Sequence, residues 1–205
     1  MSNCLLVETN EQLKKTITSL KDEKFIACDL EASELNITVA KLEGIGFGTT
    51  DRQFFIPFPN GFSEEQISDA LVTIFKNKRV IFHNAKYDLA LMKENGLPLP
   101  EAFDDTMIMS WLVDEDSQHG LKPLSKAILG REPKKWVELN KTVTLFRTDD
   151  DIIEELADYC GDDVMNTYDL YFYFKGGRNE ISFESSNDLC FINSGLLAGC
   201  YSATD

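Results

Sequence analysis

Residues 25–31 read Phe25-Ile26-Ala27-Cys28-Asp29-Leu30-Glu31, and this stretch decides the fold. An apolar run of this length predicts a strand of the buried kind. It ends in two acids. Residues two apart on a strand point to the same face, so Asp29 and Glu31 share one. Two buried carboxylates on one face are costly unless a cation sits with them. The alternative is that both lie past the strand end in a solvated loop, and the pair alone leaves the two readings balanced.

Working outward, Glu43 to Thr50 (EGIGFGTT) and Gln53 to Phe58 (QFFIPF) predict two more strands around a turn at Asp51-Arg52. With the first stretch they make an antiparallel meander. Cys4 to Val7 predicts a short strand before it. Thr9 and Gln12 have capping-box spacing and open a helix, as do Ser63 and Gln66, whose helix runs to about Lys76. Arg79 to Phe82 (RVIF) completes five strands. Helices then dominate. Lys86 to Asn95 is stopped by Gly96 and Pro98, Thr106 to Val113 follows, and Pro123 to Leu129 is ended by Gly130. A long last helix opens at Asp149-Asp150-Asp151, where acid favours the dipole, and ends at Gly176-Gly177. Strands first and helices later predict an α/β layered fold on a mixed sheet. The antiparallel hairpin argues against a doubly wound parallel sheet.

Composition narrows the function. The chain has 205 residues, 43% hydrophobic and 27% charged, which excludes general disorder and a collagen-like or disulfide-scaffold chain. Twenty Lys+Arg against 35 Asp+Glu give a net charge of -15. Such a field does not attract duplex DNA. Contact with nucleic acid must be local, with metal ions or a partner supplying positive charge. Clustered carboxylates can themselves bind divalent metals. The cysteines Cys4, Cys28, Cys160, Cys190 and Cys200 form no C-x-x-C pair and are expected as reduced thiols without a zinc site. No apolar run approaches the roughly 20 residues of a membrane span. The N-terminus MSNCLLVETNEQ lacks a signal-peptide layout. The expected location is the cytoplasm.

Three further residues join Asp29 and Glu31. Asp88 ends the run Phe82-His83-Asn84-Ala85-Lys86-Tyr87-Asp88 and falls in the first turn of a helix, where an acid is also an ordinary dipole partner. Tyr159 and Asp163 are four apart on the long helix and share a face. An inward Asp needs a partner, which a buried tyrosine or backbone group could supply. Together, carboxylates from strand ends and helices could hold two divalent ions about 3.5–4 Å apart. A tyrosine hydroxyl one turn from a ligand could orient the attacking water.

Asp29-Leu30-Glu31, the run HNAKYD ending at Asp88, and Tyr159-x-x-x-Asp163 resemble the three exonuclease motifs of the DEDD superfamily, tyrosine branch. The closest likeness is to the 3'–5' proofreading domain of family A DNA polymerases, bacterial DNA polymerase I and its phage relatives. LEGIGFGTTDRQFFIPF resembles that family's glycine-spaced hairpin, and FDDTMIMSWLVDEDSQHGLKPLSKAILG its segment after the second motif. The likeness covers about Phe25 to Phe174. Each motif alone is weak, but three in order with their connecting segments are strong.

The resemblance implies a ribonuclease H-like α/β fold, with a mixed five-stranded sheet whose first three strands are antiparallel, flanked by helices. It implies Asp29, Glu31, Asp88 and Asp163 as ligands of two Mg²⁺ or Mn²⁺ ions, with Tyr159 orienting the water. Leu35 stands where the family wedges a leucine against the terminal bases. Asn84 would contact the 3' end, with Lys86 or Tyr87 helping. Trp136 falls at the family's stacking aromatic, with core packing as the equal alternative. Stacking on aromatics is sequence-tolerant. The activity implied is metal-dependent 3'–5' exonuclease action on single-stranded or frayed DNA ends, releasing nucleoside monophosphates. An exoribonuclease of the ribonuclease D kind, a helicase-type exonuclease and a non-catalytic subunit of a split polymerase are the alternatives. The expected partners are a single-stranded DNA 3' end and a separate DNA polymerase subunit, in a bacterial or phage-infected cell.

Other residues carry less. His83 is expected at a strand end and His119 in a solvated loop. Lys122, Lys126, Arg131, Lys134 and Lys135 flank Trp136 and could guide a single strand, though a solvated charged face is the commoner explanation. Cys28 and Cys160 are expected as small buried residues. The exonuclease domain is expected over residues 1–175, with a C-terminal tail over 176–205.

Overall fold

A computed structural model describes residues 4–58, 61–132 and 149–176. In chain order the elements are β1 (Leu5–Leu6), α1 (Asn10–Leu20), β2 (Phe25–Ala32), β3 (Leu42–Gly48), β4 (Gln53–Pro57), α2 (Glu64–Phe75), β5 (Arg79–Phe82), α3 (Ala85–Glu94), β6 (Phe103–Asp105), α4 (Thr106–Val113), α5 (Leu121–Leu129) and α6 (Asp149–Phe174).

The strands form one mixed sheet in the order β1-β4-β3-β2-β5-β6. The antiparallel meander of β2, β3 and β4 is its centre. β5 joins β2 in parallel over Phe25–Ala27 only, β6 extends β5 in parallel, and β1 runs parallel to β4. The sheet thus has six strands where five were expected. The extra one, β6, is three residues long and carries two acids, so neither length nor β-propensity announces it. Its last residue, Asp105, is fixed by side-chain contacts on both sides. The Asp105 side chain caps α4 through the amides of Met107 and Ile108, and also takes those of Asn84 and Ala85.

Both expected capping boxes are present, at Thr9–Gln12 and Ser63–Gln66. α5 begins at Leu121, two residues before the expected start, because Gly120 rather than Pro123 is its N-terminal boundary.

Alternation along β2 assigns its residues to two different layers. Ile26, Cys28 and Leu30 point to one face and join the larger core with Leu13, Leu20, Leu71 and Ile74 of α1 and α2 and Leu91 and Met92 of α3. Ala27 points to the other face, where Leu156, Cys160, Val164 and Tyr171 of α6 pack against Phe55 and Ile81. α6 crosses β2, β3 and β4, and α4 and α5 lie against it. Among the described residues no helix is long and apolar enough to cross a membrane.

Candidate active site

Asp29 and Glu31 lie on the α6 face of β2, opposite Gly46 and Gly44 of β3. The glycines are there for space. A Cβ on Gly46 would fall 2.3 Å from Cys160 Sγ, and one on Gly44 would fall 1.9 Å from the Phe55 ring. A side chain at 46 would press on α6 and the residues it carries, and one at 44 would displace the Phe55 ring of β4. The Cys160 thiol donates to Asp29, at 3.6 Å from Oδ2 and 3.7 Å from the backbone oxygen. One ligand atom from each of Asp29, Glu31 and Cys160 lies within 4.8 Å of the others.

Asp88 arrives from a different direction. β2 has no β5 partner beyond Ala27, so the next inward amide is open. Leu30 N–H donates to Asp88 Oδ1 at 3.0 Å. The chain reaches this position by a sharp turn at Asn84, whose φ of 70° and ψ of 50° are left-handed, a conformation asparagine tolerates. Asp105 holds that turn by both amides. Asp88 is only 3% exposed.

Asp163 and Tyr159 come from α6, one helical turn apart. Asp163 is 6% exposed and receives a hydrogen bond from Tyr159. Lys122, at the start of α5, forms an ion pair with Asp163 Oδ1, and its Nζ lies 4.1 Å from the centroid of the Tyr159 ring. Sequence reasoning placed Lys122 in a basic group beside Trp136. Its position in the site follows from the packing of α5 on α6, which no local pattern reveals.

The electrostatics follow from burial. Burial raises the Asp29 carboxyl to about 7, with the Asp163 charge adding to it and Lys122 opposing. Burial and the neighbouring Asp29 lift Glu31 and Asp88 well above the usual carboxylate range. Asp163 is also raised by burial, against the pull of Lys122 and Tyr159. Burial and the surrounding carboxylates raise the Tyr159 phenol, which stays protonated. Glu31 Oε1 is buried with no hydrogen-bond partner among the described residues. Such a set of carboxylate oxygens, crowded, dry and partly unsatisfied, fits a hard divalent cation.

The other expected residues fall around this cluster. Leu35 is 89% exposed on the loop after β2. Tyr87 fixes that loop by donating its hydroxyl to Glu34 O at 2.9 Å. Asn84 and Lys86 are exposed at the head of α3. Trp136, with Lys134 and Lys135, lies outside the described residues, as do residues 177–205 of the expected tail. His83 follows β5, as expected. Its Nδ1 lies 2.8 Å from Thr106 Oγ1, and burial lowers its pKa to about 4, so it is neutral. His119 is buried rather than solvated. It stacks on Trp111 at 3.7 Å and its Nδ1 lies 2.8 Å from Ser110 Oγ. An imidazole with an aromatic platform and a hydroxyl partner gains more from burial than from water. Arg131 bonds Asn166 and Asp169, tying the end of α5 to α6. Cys28 and Cys160 are buried.

A family model described as a 3'–5' exonuclease of the DNA polymerase A type matches residues 4–176. DNA polymerase I of Borreliella burgdorferi is 29% identical over 175 residues, covering 82% of this chain and 19% of its own length. DNA polymerase I of Synechocystis is 30% identical over 179 residues, covering 80% of this chain and 18% of its own. The chain thus spans under a fifth of the length of these relatives. Among solved structures, Escherichia coli RNase D, an exoribonuclease, superposes with a TM-score of 0.67 at 16% identity, over 85% of this chain and 44% of that one. Brucella melitensis NrnC with bound Mg²⁺ superposes with a TM-score of 0.59 at 20% identity, over 76% and 73%. These likenesses show a ribonuclease H-like fold. The family match over most of its length makes this chain a member of the 3'–5' exonuclease family of family A DNA polymerases.

Proposed function

We propose that the chain is a two-metal 3'–5' exonuclease that removes nucleoside monophosphates from single-stranded or frayed DNA ends, with residues 1–175 as the working domain. The observation that carries this reading is the closeness of the Asp29 and Glu31 ligand atoms, within 4.8 Å, with the charges of Asp163 on Asp29 and of Asp29 on Asp88 felt across the same cluster and Glu31 Oε1 without a hydrogen-bond partner among the described residues. These four are the proposed ligands of two Mg²⁺ or Mn²⁺ ions. When bound, such ions supply a water of lowered pKa and stabilise the leaving oxygen of a phosphodiester.

The chain's own residues do the rest. Asp88 is oriented by Leu30 N–H, which takes one of its two carboxylate oxygens. Tyr159 keeps its proton and is anchored on Asp163. It therefore positions a water through its hydroxyl and does not act as the base. Leu35 stands clear of the surface on a loop pinned by Tyr87, and an apolar side chain there can lever a terminal base off its neighbour. Asn84 and Lys86, exposed at the head of α3, are the proposed contacts to the 3' end, and Trp136 is the proposed stacking residue. The net charge of -15 suits an enzyme that grips an end locally and not a duplex along its length. A DNA polymerase is the proposed partner, since the relatives that match carry this region within a far longer chain.

The test is a gel assay with 5'-labelled single-stranded DNA and the matching RNA, each with Mg²⁺ or Mn²⁺. A ladder shortening from the 3' end, lost in EDTA and in the Asp29→Ala, Glu31→Ala double variant, is the expected result. Faster shortening of RNA would overturn the choice of sugar. No ladder with any metal would point to a non-catalytic subunit.

A further inference from the structure

Lys122 is the cation within the carboxylate cluster, and its position is not one that α5 favours. Gly120 caps that helix, so Lys122 is its second residue, where the helix dipole disfavours positive charge. It is held there by Asp163 and by the face of Tyr159. Its side chain is 25% exposed, so the ammonium has a route to solvent. Its charge also pulls down Asp29 and Glu31, so it acts on more of the cluster than the carboxylate it touches.

We propose that Lys122 is a resident counter-ion. It occupies Asp163 Oδ1 in the metal-free protein, must withdraw for that oxygen to take a divalent ion, and so sets the metal concentration at which the site fills. This rests on the reading of Asp163 as a metal ligand. An ammonium and a divalent cation compete for one oxygen. A lysine suits the task because its four-carbon stem is flexible and its head is a compact point charge. The Tyr159 ring, already 4.1 Å from that head, keeps its cation–π hold when Asp163 is given up, so withdrawal does not require full exposure. Lys122 is thus a positioning residue. It keeps the empty cluster compatible with folding, and it makes the protein bind metal less tightly than its ligand set alone would.

The test reads metal affinity directly. The full chain is titrated with Mn²⁺ by calorimetry, as the parent, as Lys122→Met, as Lys122→Arg and as the Asp29→Ala, Glu31→Ala double variant. Lys122→Met is expected to bind Mn²⁺ about 10-fold more tightly than the parent, the scale on which outer residues tune metal sites. Its metal-free melting temperature is expected to fall, because Asp163 loses its counter-charge. Lys122→Arg is expected to stay near the parent on both readouts. A structural role alone would lower stability without tightening metal binding. If Lys122→Met is poorly folded, Lys122→Gln is read in its place. Unchanged or weaker Mn²⁺ binding in the neutral variant, with the parent binding and the double variant not, overturns the counter-ion role and leaves the metal site standing. No uptake by the parent overturns both.

Discussion

The two faces of the sheet are built from the same strands to opposite ends. On the α1–α2–α3 face, β2 contributes Ile26, Cys28 and Leu30, all at most 5% exposed, to an apolar core. On the α6 face it contributes Asp29 and Glu31, whose neighbours are Asp163, a lysine, a tyrosine and a cysteine. The first face gains from every atom it buries. The second buries charge whose protonation burial itself has disturbed. A strand alternates, so one face can be spent on stability while the other holds a site, and adjacent residues should then respond to mutation in opposite ways.

The sharpest break would come from neighbours. Asp29→Asn should abolish cleavage in the gel assay. It should also raise the melting temperature of the metal-free protein by a few degrees, as expected of about 1–2 kcal/mol in a domain this size. Leu30→Ala, one residue on, should cost about 2–5 kcal/mol by chemical denaturation. What folded protein remains should still cleave. If Asp29→Asn destabilised the protein as Leu30→Ala does, the division between the faces would be wrong.

Within the α6 face, Tyr159→Phe separates orientation from metal holding. It should slow cleavage by about 10²-fold, the scale of a misplaced reacting group. Mn²⁺ binding measured by calorimetry should be retained, because Asp163 keeps its place on α6. Loss of metal binding in this variant would make the tyrosine a structural support of the ligand set.

Gly46→Ala tests whether the two faces tolerate added volume alike. Its Cβ would meet Cys160 Sγ at 2.3 Å. Overpacking of this kind costs about 1–3 kcal/mol. Lifting α6 should also cut activity about 10-fold, since Asp163 and Tyr159 move with it. Cys160→Ala in the same chain should restore most of both losses, a coupling expected of residues in contact. An additive double variant would show that the helix adjusts elsewhere.

Much of this contrast is visible in the sequence, for a physical reason. Alternation in FIACDLE gives the two faces of β2. Side-chain caps at Thr9 and Ser63 are local and leave local signatures. The spacing of Tyr159 and Asp163 carries over because a helix is regular. What escaped depends on contacts between distant segments. β6 ends in Asp105, which reaches the turn at Asn84, and Lys122 enters the site because α5 lies on α6. His119 is buried by Trp111 and Ser110 of α4. The glycines opposite Asp29 and Glu31 could be read as a motif, but their purpose needs the helix that lies on Gly46 and the Phe55 ring that lies on Gly44.

The smallest effect concerns pH, and it also separates the faces. A carboxyl with a raised folded-state pKa binds more protons when folded than when unfolded. Asp29 sits near 7 against an ordinary value of 3.8, and Glu31 and Asp88 are also raised well above the usual carboxylate range. Their sign is therefore negative. In EDTA the protein should lose stability as pH rises from about 4 to 7, where the unfolded chain has released the Asp29 proton and the folded cluster still holds it. His83 offsets part of this below 6.5, since its folded pKa is lowered to about 4 and only the unfolded chain takes up its proton. One histidine stands against several raised carboxyls, so the loss is lessened there and not reversed. Saturating Mg²⁺ should flatten the loss, because the bound cation replaces the protons. Leu30→Ala should lower the whole curve without changing its shape, whereas Asp29→Asn should remove part of the slope. Denaturation curves at four pH values, with and without Mg²⁺, would check this. A slope that survives Mg²⁺ unchanged would place its source in the acidic surface and not in the buried cluster.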